Sequence, residues 1–111
     1  MKEPVFDPEV DYELHNAHVA RAAGNEGRAR VCARRAAGLA VRKYFERKDF
    51  QLNNKSAYEL LLTLINQPGI PPTALQNAIN LTMRVSESFM LPTQVDLIIE
   101  ARSLCEQLAK L

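Results

Sequence analysis

Arg28, Arg35 and Arg42 recur at intervals of seven, so on a helix turning about 100° per residue they fall within one narrow stripe. Such a row of guanidinium groups, with Lys43 beside it, can meet successive phosphates or an acidic partner. Arg84 follows Asn77 and Asn80 in a second stretch, where one cation and two amides can contact a phosphate or a base. His15 and His18 are three apart on one helix surface, but no Cys or further His completes a metal-ligand set around them. Cys32 and Cys105 lie in separate helical patterns and read as free, buried thiols. There is no P-loop, no dinucleotide glycine motif, and no Ser/His/Asp or Cys/His arrangement that spacing supports. Gly24-Asn25-Glu26-Gly27 has the GxxG form of a nucleic-acid loop, but with no strand around it we read a helix–helix turn. We expect no metal, no cofactor and no assignable catalytic residue.

The elements that must position these groups are all helical. RARVCARRAAGLAVRKYF, residues 28–45, has its widest apolar arc at Ala29, Cys32, Ala33, Ala36, Leu39, Ala40 and Tyr44. Arg30 and Arg34 lie nearly opposite the Arg28, Arg35, Arg42 stripe, so the basic residues are distributed around the helix. Two readings follow: a core helix whose arginines lay aliphatic stems over its edges and are solvated or ion-paired, or a helix whose seven-residue stripe binds phosphate or an acidic partner.

Punctuation divides the chain. Asp7-Pro8 caps a first helix ending near Ala23, and Gly24 to Gly27 turns the chain into a second, from about Arg28 to Lys48. Ser56 with Glu59 is a capping-box pattern opening a third helix to about Asn66, which Gln67-Pro68-Gly69 stops. Pro71-Pro72-Thr73 opens a fourth to about Phe89, and Pro92-Thr93 with Asp96 opens a fifth to the end. In the fourth, Leu75, Ala78, Ile79, Thr82, Ser86 and Phe89 form the expected inward stripe, leaving Asn77, Asn80, Arg84 and Ser88 outward. In the fifth, Leu97, Ala101, Leu104 and Leu108 form a second apolar stripe beside Val95, Ile98, Ile99 and Cys105. So wide an arc fits a helix packed between two neighbours or one that supports a homodimer, and we expect the homodimer.

The predicted fold is therefore all-α, an up-and-down antiparallel bundle of four to five helices forming one domain over residues 1–111, with residues 1–6 flexible. The formal net charge of +1 argues against a wholesale polyanion binder, but it conceals a split. Residues 28–48 hold eight basic side chains against one acid, net +7, and the remainder six against twelve, net −6. No export signal or membrane span is read, and we expect a cytoplasmic chain.

The order of the alanine-rich ARVCARRAAGLAVRKYF after the turn AGNEGR, then LTMRV, then DLIIEARSLCEQL resembles the HEPN (higher eukaryotes and prokaryotes nucleotide-binding) family over most of the chain. The resemblance implies a bundle of four or five helices, usually dimeric, whose active members cleave RNA with an Arg followed four to six residues later by a His. Arg84 stands at the arginine position, but the sequence near 89–91 is Phe-Met-Leu, so the general acid or base is missing. Relatives lacking the pair act as partners of small nucleotidyltransferases or as nucleotide-binding modules. The expected function is thus a non-catalytic interaction module for a nucleotide or nucleic-acid phosphate or for a nucleotidyltransferase-type protein. The alternative is a degenerate, toxin-like ribonuclease using Arg84 with His15 or His18.

Overall fold

The computed structural model describes residues 6–50, 52, 54–83 and 95–111, which form five helices and, among them, no strand. The helices are α1 (Pro8–Ala22), α2 (Glu26–Arg47), α3 (Ala57–Ile65), α4 (Pro72–Leu81) and α5 (Leu97–Ala109).

Three of the five starts, those of α1, α3 and α5, have the side-chain cap their sequence announces. Asp7 accepts the Glu9 N–H at 2.9 Å, with Pro8 in the first turn where a missing N–H costs nothing. Ser56 and Glu59 form both bonds of the capping box, and Asp96 accepts the N–H groups of Ile98 and Ile99. α2 begins two residues before Arg28 because Asn25 is its cap, accepting the Arg28 N–H at 3.1 Å. Gly24, at φ +80°, supplies the left-handed residue that closes α1 and lets the chain reverse in so short a space.

α2 is the central helix, packed on α1, α3 and α5. Its burial therefore spreads beyond the expected arc: Ala37, Gly38, Val41 and Phe45 are also buried, whereas Leu39 and Tyr44 are only partly so. Small side chains make this possible. A Cβ added at Gly38 would stand 2.8 Å from both Cα and Cβ of Ala57, so the α2–α3 crossing requires glycine there.

Three expectations are corrected. α4 ends at Leu81, short of Phe89, where Arg34 donates from Nε to the Leu81 carbonyl and from Nη2 to that of Met83, both at 2.9 Å. The inward face of α4 is rotated: Asn77 and Asn80 are 6% and 7% exposed beside buried Ala74, Ala78 and Leu81, while Ile79 faces out and Leu75 is half-buried. Ser86, Phe89, Arg84 and Ser88 lie outside the described residues. As one of the two readings of its wide arc has it, α5 packs between neighbours, on α1, α2 and α4, and of its large apolar residues only Ile99 is well exposed, at 65%. Phe6, placed in the flexible terminus by sequence, is in the core, with the Arg102 guanidinium 5.7 Å from its ring centre.

Candidate functional site

The basic side chains of α2 and its C-cap fall into two groups. Six are engaged within the molecule. Arg30 lies 3.9 Å from Glu26, Arg34 caps α4, and Arg47 donates to the Leu108 carbonyl at 2.7 Å, capping α5. Lys43 pairs with Asp7 at 3.2 Å and Glu9 at 3.4 Å, and Lys48 approaches the Tyr44 ring. Burial works against the Lys43 charge, but the two carboxylates outweigh it and raise its pKa. Burial, and then the charge of Arg30, lowers that of Arg34. Arg42 makes one long bond, from Nη2 to the Lys55 carbonyl at 3.3 Å, and its buried Nε has no hydrogen-bond partner among the described residues.

Arg28 and Arg35 form the second group. Both are exposed, and neither has an ion pair or side-chain hydrogen bond among the described residues. Seven residues at 1.5 Å rise separate them by about 10 Å along α2. Arg42 continues the stripe by the same step, so the three arginines lie on one side of the helix, with Arg35 and Arg42 beside α3.

That side is concave. Three adjoining hollows follow it: one of about 340 Å³ against α1, lined by Tyr12, Glu9, Glu13 and Leu39; one of about 150 Å³ against α3, lined by Leu39, Arg35, Arg42 and Lys55; and one of about 530 Å³ beyond, lined by Arg42, Glu46, Leu52 and Asn54. Leu39 is shared by the first two and Arg42 by the last two. Lys55 went unnoticed in the sequence because it belongs to the segment before α3, and only the α2–α3 crossing brings it to the stripe.

Asn77 and Asn80 serve elsewhere. Both donate from their amides to Glu100 of α5, Asn80 at 2.7 Å to one oxygen and Asn77 to the other. The Asn77 carbonyl accepts from Ser103 at 3.0 Å and Gln107 at 2.8 Å, and Gln76 donates to Asn80 at 2.9 Å. This is a polar seam between α4 and α5, its carboxylate oxygens already occupied by amides. Spacing held a signal for it: Asn77 and Asn80 are three apart, as are Glu100 and Ser103, with Gln107 four further on, so two one-sided polar ladders can face each other.

Arg84 lies outside the described residues, so its relation to any histidine is not part of this site. His15 and His18 are exposed on α1 and line none of the hollows above. Among the described residues no three His, Cys, Asp or Glu side chains gather as a metal site, and no helix is long and apolar enough to cross a membrane. Both cysteines are buried, and burial pushes the Cys105 thiol up to about 12. Comparison with protein-family models, with curated proteins and with solved structures finds no match.

Proposed function

We propose that this chain is a non-catalytic, HEPN-like helical interaction module that binds a nucleotide or nucleic-acid phosphate along α2, through Arg28, Arg35 and Arg42. One observation carries the reading: six of the eight basic side chains from Arg28 to Lys48 have intramolecular roles, and the stripe at seven-residue spacing is the part left wholly or partly unengaged. An exposed guanidinium with no internal partner adds little to folding, whereas phosphate oxygens match its fork of donors. The reading assigns these guanidiniums to holding a phosphate and includes no proton-transfer step.

The test is fluorescence anisotropy of a short single-stranded RNA with the wild type and with Arg28→Gln, Arg35→Gln, Arg42→Gln combined. The expected result is at least a tenfold loss of affinity with unchanged helicity by circular dichroism. Equal affinities would remove the stripe from the site; a nucleotidyltransferase-type protein partner would then be the surviving form of the interaction module. Self-association belongs to the same reading, with Ile99 as the apolar group that α5 still presents. Light scattering in the tens of micromolar range, giving a dimer that Ile99→Glu disperses, would support it, and a wild-type monomer would refute it.

A further inference from the structure

The hollow between α2 and α3 differs from its neighbours in the groups that converge on it. Arg35 and Arg42 border it from α2 and Lys55 from the segment before α3, and no carboxylate lines it. Ala57, the first residue of α3, forms part of the wall. Arg42 is held loosely there: Arg34 makes two bonds to carbonyls at 2.9 Å, whereas Arg42 makes one at 3.3 Å and leaves a buried Nε without an acceptor. A buried donor without a partner is costly, and a small rotation toward an anion in the hollow would supply one.

The hollow, about 150 Å³ and open to solvent, takes a phosphoryl group. Two hollows adjoin it, the one against α1 across Leu39 and the one beyond Arg42. Of the two, the one against α1 holds an aromatic side chain: Tyr12, 65% exposed, offers a ring on which a base can stack.

Resting on the phosphate-binding reading above, we infer that Arg35, Arg42 and Lys55 form a site for the terminal phosphate of a nucleoside monophosphate, whose base lies over Leu39 against Tyr12. Its source is a free mononucleotide or the 5′ end of an RNA.

Isothermal titration of the full chain with AMP, adenosine and inorganic phosphate tests the site, with Lys55→Gln, Arg35→Gln, His18→Gln and Tyr12→Ala as variants and melting curves to confirm folding. Lys55→Gln is the decisive one, because no intramolecular partner of its ammonium is seen among the described residues. The expected pattern is AMP binding with adenosine at least thirtyfold weaker, a loss of tenfold or more for Lys55→Gln and Arg35→Gln, and less than twofold for His18→Gln, since His18 lines none of these hollows. Tyr12→Ala should weaken AMP and leave inorganic phosphate unchanged. A 5′-phosphorylated RNA binding tenfold better than its 5′-hydroxyl form would assign the RNA end as a source, and AMP alone binding would assign the mononucleotide. Adenosine binding as well as AMP, or AMP binding untouched by Lys55→Gln, would overturn the inference. The wider reading would survive if 5′-hydroxyl RNA still bound and the triple arginine variant still weakened it; loss of both RNA and AMP binding in the wild type would refute both.

Discussion

Arg34 and Arg35 are adjacent in sequence and face opposite ends of the protein's needs. The Arg34 side of α2 looks toward the end of α4, where its guanidinium closes two carbonyls that the helix cannot satisfy. The same side of the molecule contains the α4–α5 seam, in which Asn77, Asn80, Glu100, Ser103 and Gln107 satisfy one another. Apart from the buried Nε of Arg30, which has no hydrogen-bond partner among the described residues, polar groups there are inward and internally matched. The Arg35 side, next to α3, keeps its charges outward, with hollows beside them. Polar residues in the first region specify how helices dock, and those in the second are available to something outside the chain.

Breaking the first region should have the largest effect. Asn77→Ala removes one donor to Glu100 and the acceptor of both Ser103 and Gln107. With partly buried polar groups left unpaired, we expect a loss of about 2–3 kcal/mol and a midpoint lower by roughly 8–20 °C, read by thermal melts. RNA affinity measured well below the new midpoint should be unchanged.

The neighbouring arginines give a sharper contrast. Arg34→Gln should cost about 1.5–3 kcal/mol of stability, since two charge-assisted bonds to carbonyls are lost, whereas Arg35→Gln should stay within about 0.5 kcal/mol. Binding should show the reverse order, with the Arg35 variant weaker by roughly 1.5–3 kcal/mol for one charged contact and the Arg34 variant near the wild type. Equal stability losses would dissolve the distinction between the two sides.

A smaller effect belongs to Arg21, which ties α1 to the start of α2 through Glu26 at 2.7 Å and to the cap of α5 through Asp96 at 2.8 Å. Hydrogen bonding to Arg21 lowers the Glu26 pKa, and although burial acts against it, Arg21 also lowers that of Asp96. Depressed carboxylates stabilise the fold above their unfolded values of about 4.5 and 3.8, and that contribution disappears as pH falls through the lower folded values. Stability measured by urea titration should therefore fall below about pH 4.5 in the wild type and less steeply in Arg21→Gln. The least perturbing test uses the thiols: with Cys105 pushed up to about 12 and Cys32 buried, neither should react with a thiol reagent at pH 8 until the chain is unfolded.

Helix starts were legible because a cap is a local event: Asp7-Pro8, Ser56 with Glu59, and Asp96 each satisfy N–H groups within three residues. The orientation of α4 was not. Periodicity counts an amide as outward, yet Asn77 and Asn80 are buried because Glu100, more than a turn of chain away on another helix, offers the oxygens they need. The end of α4 escaped for the same reason, since the group that closes it is Arg34. The seven-residue stripe was legible as a stripe. Which of its neighbours were already engaged depended on tertiary partners such as the carbonyls of Leu81, Lys55 and Leu108.

The central claim is that the side of α2 left unmatched within the chain contacts phosphates, and the salt dependence of RNA affinity tests it most directly. Three phosphate contacts give a slope of log affinity against log salt of about −2, at roughly −0.7 per contact on a single strand. Arg28→Gln with Arg35→Gln should bring that slope to about −0.7 with the melting midpoint unchanged. A slope and affinity the same as the wild type's, or no RNA or nucleotide binding by the wild type at low salt, would contradict the account.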